Sequence, residues 1–476
     1  MSYLKSFPLI LTSLYLNFGY ITPIFAQSAD SPSPVSTNQF NSSANPLLFP
    51  TKPKEVEIDK QQSITLQEAI EIALKNNKSL QEARLELEKA EDGLRASLGA
   101  ELPTVDGQLD FNQRGDDTTA QGGDIFRNRT QFLGQLEVGY ELFNGGRRNA
   151  TIERSRREVY FTKLDVERIS EDTRFNVTDA YYELQNRDAQ VAIAQAAIED
   201  FSQTLRDAQL LEQAGLGTKF DVLQAEVDLA NANQALTRAI ADQRNARRTL
   251  AEVLSIGQNI ELTAADEIKE NGVWEYSLED SIVMAFKNRA ELEQLLVRKE
   301  INEQNREIAL SEIRPQVGLF VNYNFTNTLV DTLENTGNAN GYNLGARLRW
   351  RFYDGGTAQA RGDQETRNME IDETNFADQR NKIRLETETA YNTLIANKEN
   401  IGSTEKAVIT ATESLRLARL RFQAGVGTQT DVINAQRSLT EARGNFLQAI
   451  IGYNQSLNEL QRAVSNLPDS KLFEIR

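Results

Sequence analysis

Ala214-Gly215-Leu216-Gly217-Thr218 with Asp221-Val222 behind it, and Ala424-Gly425-Val426-Gly427-Thr428 with Asp431-Val432 behind it, are one turn written twice, 210 residues apart (425 − 215). Outward from each copy the same parts recur in the same order. Phe143-Asn144-Gly145-Gly146 answers Tyr353-Asp354-Gly355-Gly356, and Leu102-Pro103 answers Arg314-Pro315. Ile64-Thr65-Leu66-Gln67-Glu68-Ala69-Ile70 returns as Tyr276-Ser277-Leu278-Glu279-Asp280-Ser281-Ile282, now 212 residues on (278 − 66). An offset held to two residues over this length is a duplication. Its period far exceeds the 20–50 residues of solenoids, so each copy is a large unit. The two make one pseudo-symmetric domain or two halves of a ring.

Heptads flank both turns. Val177, Leu184, Val191, Ile198 and Leu205 fall every seven residues before the first, and Thr387, Leu394, Ile401, Val408 and Leu415 before the second. Behind the turns run Val222, Leu229, Leu236 and Leu250 with Ala225, Ala232, Ala239 and Ala246, mirrored by Val432, Leu439, Phe446, Tyr453 and Leu460 with Ala435, Ala442, Ala449 and Ala463. A strict seven-residue repeat imposes a left-handed supercoil. Alanine along one seam lets backbones approach, which predicts tight antiparallel hairpins over 147–255 and 357–465. A helix from 147 to the first turn would be about 100 Å long.

Between the helices four segments change period. In the strand pairs expected over 102–114 with 130–143 and over 314–326 with 341–353, apolar residues such as Val105, Leu109, Leu136, Val138, Val321, Tyr323, Leu344 and Leu348 alternate with polar ones. Glu137, Glu141, Arg347, Arg349 and Arg351 all fall on the polar side. Alternation alone suits equally a soluble sheet with one face on a core. A secretory leader and the long rods favour transmembrane strands. Gly115 to Gly123 and Thr326 to Gly341 are expected to be the outer loops. Strands in lipid need every backbone group paired, so the sheet must close, and four strands cannot enclose a barrel. Two chains would give eight strands and a filled interior, three would give twelve and a pore. The residues do not choose between them.

Composition removes most other functions. With no cysteine and no histidine, disulfides, thiol nucleophiles, imidazole bases and the common zinc sites are excluded, so no enzyme activity, catalytic residue, metal or cofactor is expected. A net charge of −17 argues against nucleic acid, whose binding rests on clustered Lys and Arg. Residues 1–26, with Lys5, an apolar stretch and Phe25-Ala26-Gln27, read as a secretory signal peptide. The Ser- and Pro-containing stretch 27–62 reads as a disordered linker. The first repeat then occupies 63–272, the second 273–467, and a tail 468–476.

This order of helix, Pro-marked strand pair, Gly-Gly exit, long helix, Gly-x-Gly-Thr tip and returning helix resembles the TolC-type outer membrane factors of Gram-negative bacteria over about residues 63–465. The resemblance implies a mixed α and β membrane protein: a homotrimer sharing a twelve-stranded β-barrel in outer membrane lipid and continuing as an α-barrel of coiled-coil helices through the periplasm. It further implies a passive exit duct for an inner-membrane pump of ABC, RND or MFS type, in efflux or type I secretion, joined through a periplasmic adaptor (membrane fusion) protein. A structural or adhesive coiled-coil envelope protein is the alternative, although three arginines on one strand face suit a wet lumen better. A porin has no use for the rods.

The tips carry two readings. Thr218 with Asp221, and Thr428 with Asp431, fit the Thr-x-x-Asp capping box, which alone explains them. The resemblance adds a periplasmic gate at Asp221 and Asp431. One turn on, where it implies a second acid, this sequence has Gln224 and Asn434; Phe422 and Gln429 stand nearest its tyrosine–arginine latch, so a differently bonded gate is implied. Gly215, Leu216, Gly217 and Thr218, with Gly425, Val426, Gly427 and Thr428, are the expected adaptor-docking surface.

Overall fold

The computed structural model describes residues 47, 49–58, 60–120, 123–257, 259–331 and 336–465. Of the two units into which the chain divides, residues 1–36 and 37–476, all of these lie in the second. The signal peptide expected over 1–26 and the tail over 468–476 lie outside the described residues.

Each repeat begins with two helices in succession, parted by one extended residue. Leu66–Asn76 (α1) starts at a reciprocal cap, in which Glu68 N donates to Thr65 Oγ1 (3.3 Å) and Thr65 N to Glu68 Oε2 (2.9 Å). Lys78–Leu98 (α2) follows, capped by Asn77. Their counterparts are Leu278–Asn288 (α5), capped by Ser277, and Ala290–Ser311 (α6). Just before α1, Lys60–Ile64 (β1) pairs in parallel with Ile260–Ala264 (β4), so the linker expected to reach residue 62 ends earlier. Its polar residues find backbone partners two hundred positions away, a pairing no local pattern announces. Buried Tyr181 fastens this ladder to the helices: its hydroxyl donates to Asp266 Oδ2 (2.7 Å), accepts from Asp266 N (3.2 Å) and stands 3.0 Å from Ile64 O.

The strands are Thr104–Ala120 (β2), Gly123–Asn144 (β3), Gln316–Asp331 (β5) and Gly337–Arg349 (β6), in one antiparallel sheet of order β2-β3-β5-β6. They run further out than expected, into the Gly- and Asp-rich stretches read as loops, because ladder pairing satisfies the main chain whatever the side chains are. β6 ends sooner, at Arg349, so Arg351 lies beyond the strand rather than on it.

At Gly146 and Gly356, both at left-handed φ (92° and 82°), each sheet exit turns into a 67-residue helix, Arg147–Gln213 (α3) and Thr357–Gln423 (α7). Asn144 and Asp354 cap them: Asn144 Oδ1 accepts from Arg148 N (3.0 Å) and Asp354 Oδ2 from Ala358 N (2.7 Å). The returning helices, Lys219–Val253 (α4) and Gln429–Val464 (α8), are about half as long. One partner cannot cover such a rod, so α2 and α4 pack along α3, while α6 and α8 lie against both α3 and α7.

The alanine seam lies largely where the heptads place it, with Ala225, Ala232, Ala246, Ala435, Ala442, Ala449 and Ala463 buried and Ala239 half-buried. Ala197, Phe201, Ala232 and Ile433 form one cluster, so the seam joins the two repeats as well as the arms of one hairpin. Among the described residues no helix is long and apolar enough to cross a membrane.

Candidate functional site

At each tip the helix reverses over two backbone bonds to one carbonyl. Leu216 N and Gly217 N both donate to Leu211 O (2.9 and 3.0 Å), and Val426 N and Gly427 N to Arg421 O (3.0 and 3.1 Å). The two glycines of each tip have different reasons. Gly215 and Gly425 sit at φ 71° and 74°, a left-handed conformation that side chains resist. Gly217 and Gly427 do not; there a Cβ would stand 3.1 Å from Leu211 Cβ or Arg421 Cβ, so a side chain would crowd the preceding helix end. Leu216 and Val426 are left 80% and 69% exposed.

Both tip aspartates are engaged as caps. Asp221 Oδ2 accepts from Thr218 N (3.0 Å) and Thr218 Oγ1 (2.6 Å), and Asp431 Oδ2 accepts from Thr428 N (2.9 Å). The Thr428 backbone and hydroxyl, with Arg421 nearby, hold the Asp431 carboxyl below the usual carboxylate range. Gln224 is turned to Asp228, donating to Oδ2 (3.2 Å), and Asn434 is exposed.

Polar contacts that sequence reasoning missed tie the two hairpins together. Gln429 Nε2 donates to Asp221 O (2.9 Å), Arg437 pairs with buried Asp228 (2.5 Å), Gln436 Nε2 donates to Thr204 Oγ1 (2.9 Å), and Arg419 pairs with Asp200 (2.7 Å). A signal existed. Under the 210-residue offset, Gln429, Gln436 and Arg437 correspond to Lys219, Glu226 and Val227, and Asp228 to Ser438. The copies differ where they meet, because two pseudo-identical surfaces need complementary rather than equal groups.

Further up, a cluster also missed in the sequence joins α3, α6, α7 and α8. Arg462 reaches Asp172 (2.8 Å) and Glu291 (3.0 Å), and Arg289 reaches Glu291 and Glu386 (2.9 Å each). Burial alone would raise Glu291, but the hydrogen bonds and charge of Arg289, with Arg462, hold it down at about 2. Glu171 is the opposite case. It is 3% exposed, its Oε1 makes no hydrogen bond, and burial pushes it up to about 7 against the lowering by Ser465 (2.8 Å) and Arg462 (3.7 Å).

The sheet has two chemically distinct faces. Val105, Val138, Val321 and Leu344 lie in one row of the ladder and so on one face, which also carries Leu109, Leu136, Leu319, Tyr323 and Leu348. Asp106, Glu137, Asn322 and Asn343 form the adjacent row on the other face, with Gln108, Asp110, Glu141, Arg347 and Arg349. Glu137 and Glu141 are not strand neighbours of the arginines, because β5 intervenes: Glu141 and Arg347 both face Gly318, and Arg349 faces Gln316. Glu141 instead meets Asn144 (3.1 Å) and Arg147 (3.4 Å). Arg351 approaches Glu312 (3.6 Å). Phe320 is an aromatic on the polar face, lying over Gly345 with the Arg347 guanidinium 5.1 Å from its ring centre.

Two-faced strands on long paired helices are what an envelope-spanning conduit requires, and comparison with known proteins agrees. The family model described as "Outer membrane efflux protein" matches residues 69–255 and 282–466, one stretch in each repeat. The outer membrane efflux protein BepC of Brucella suis biovar 1 (strain 1330) is 22% identical over 391 residues, 81% of this chain and 82% of BepC. Among solved structures, the outer-membrane channel OprN covers 86% of this chain and 94% of its own at TM-score 0.72 and 18% identity. The outer membrane protein VceC of Vibrio cholerae covers 84% and 95% at TM-score 0.71 and 19% identity. With the match falling on both repeats and the fold shared along nearly the whole described chain, the protein belongs to the outer membrane efflux protein family.

Proposed function

We propose that three copies of this outer membrane efflux channel close into one conduit, a shared twelve-stranded barrel continued by an α-helical tunnel in the periplasm, and that it serves as the passive exit duct of a tripartite efflux or type I secretion assembly. One observation carries this. The sheet is ordered β2-β3-β5-β6, and the helices follow the same order, with α2 and α4 beside α3, then α6 and α8, then α7. Both layers therefore end on the same two sides of the chain. β2 and β6 have no further strand beside them among the described residues, and apolar side chains stand exposed along the outer helices, Leu85, Leu223 and Val227 on one side and Ile371, Leu385 and Ile409 on the other. Lipid tolerates no open strand edge, so the edges of neighbouring copies must meet.

In this reading substrates pass along the polar strand face, energy comes from an ABC, RND or MFS pump, and a periplasmic adaptor docks on the knobs Leu216 and Val426. The gate lies at the tips, where Asp221 and Asp431 converge from three copies, and opens by separation of the hairpins. Native mass measurement of the full protein in mild detergent is expected to give a trimer with single-channel conductance. A monomer with a folded strand signature would overturn closure. Leu216→Asp with Val426→Asp is expected to abolish export and leave the trimer intact, whereas normal export would remove the docking role.

A further inference from the structure

We propose that the barrel seam between copies is set by charge, with Arg347 of β6, and Arg351 just past its end, facing Asp110 and Asp106 of β2 in the next copy; this rests on the closure reading above. The duplication supplies the register. Val105 pairs with Val138, and Val317 with Leu348. These pairs are equivalent, so β2 maps onto β5 by 212 (317 − 105) and β3 onto β6 by 210 (348 − 138). The chain contains one β3–β5 seam, in which Glu137 faces Asn322, Gly139 faces Phe320, Tyr140 faces Leu319 and Glu141 faces Gly318. The same operation carried from β6 to the next β2 sets Arg347 opposite Asp110, Arg349 opposite Gln108, Trp350 opposite Gly107 and Arg351 opposite Asp106.

The early end of β6 points to the same missing strand. β3 continues past Gly139, the partner of Thr104 where β2 begins, and its residues 140–144 lie against β5 alone. Their counterparts, 350–354, lie past Arg349, the partner of Gln316 where β5 begins. Among the described residues they have no strand to lie against, and β6 stops. In the ring the next β2 supplies that strand, β6 lengthens toward Asp354, and Arg351 leaves Glu312 for the polar face.

The charges fall where they sort partners. The seam inside the chain puts Glu137 opposite Asn322 and Glu141 opposite Gly318, and its acid–base pair, Arg129 opposite Asp331 (3.6 Å), lies at the far end of the strands from these positions. The open edges differ in sign, Asp106 and Asp110 on β2 against Arg347 and Arg349 on β6. β2 against β2, or β6 against β6, would set like charges together, which destabilises a cross-strand pair. Only the β6-to-β2 joint, repeated around the ring, is complementary.

The natural chain has no cysteine, so engineered thiols report without background. Directly opposite residues have Cβ atoms about 4.5–5.5 Å apart, close to disulfide reach, whereas a displacement of four residues adds roughly 13 Å. In the full-length protein, Arg347→Cys with Asp110→Cys is expected to give reducible cross-linked oligomers on oxidation, and Arg347→Cys with Asp106→Cys is expected to give none. A native trimer that cross-links only through the second pair, or through neither, overturns this register and leaves closure standing. A monomer in native mass measurement overturns both. Should the cysteine variants fail to assemble, charge reversal decides. Arg347→Asp is expected to lower the temperature at which the trimer dissociates in detergent, and Asp110→Arg added to it to restore that temperature; a double variant no better than the single one refutes the pairing.

Discussion

Glu171 shows how one side chain ties the fold to pH. Its proton is held more tightly folded, at about 7, than at the ordinary glutamate value of 4.5. Its contribution to stability is therefore fully present below about 4.5, declines as pH rises from there to about 7, and is lost above. The loss is of the order of 3 kcal/mol at most. Glu291 works in the opposite sense: held down at about 2, it contributes above 4.5 and loses that contribution as pH falls toward 2. Between pH 5 and 7 Glu171 dominates the pair. Glu171→Gln is expected to flatten the stability profile across that window in denaturant titrations, and an unchanged slope would assign it to another group. The tip aspartates offer a second test at this scale. As the N3 partners of the Thr218 and Thr428 capping boxes, Asp221→Ala and Asp431→Ala should each lower the melting temperature. As a ring of carboxylates at a closed mouth, their joint loss should also weaken block by multivalent cations in bilayer recordings. Undiminished block with reduced melting would leave them caps alone.

At the scale of elements the controlling quantity is the distance between helix axes. Ala232 on α4 lies in a cluster with Ala197 and Phe201 of α3 and Ile433 of α8, where two hairpins meet. Ala232→Leu should overpack that contact at a cost of roughly 1–3 kcal/mol and push the hairpins apart, so a lower melting temperature is expected together with longer channel openings. Wild-type behaviour in both would show that the seam has slack. The heptads made this contact legible only as a helix face. That α8 of the second repeat completes it was not, since periodicity reports which side of a helix is apolar and nothing about which helix covers it.

For the whole molecule, the polar strand face, proposed above to line the lumen, is expected to set the ion preference of the channel. Arg349 faces Gln316 within the chain and, under the proposed seam, Gln108 across it, so its charge meets no acid at either strand junction. Arg349→Gln is accordingly expected to shift the reversal potential in a salt gradient toward cation preference, and by more than Arg347→Gln, whose arginine has Asp110 opposite. Equal shifts would place the two arginines in equivalent surroundings.

The sequence by itself determined the duplicated plan, the helix faces, the capping boxes and the two-faced strands, because each rests on neighbours within one or two turns or on the period of a single strand. Thr218 with Asp221 is readable as a cap from spacing alone. Only the tertiary structure decided that β5 separates Glu141 from Arg347, that Lys60–Ile64 pairs with Ile260–Ala264, and that Asp228 is buried against Arg437. These contacts join residues far apart in the chain. Their partners are selected by how two large units of the same plan stack, a geometry that no local periodicity encodes.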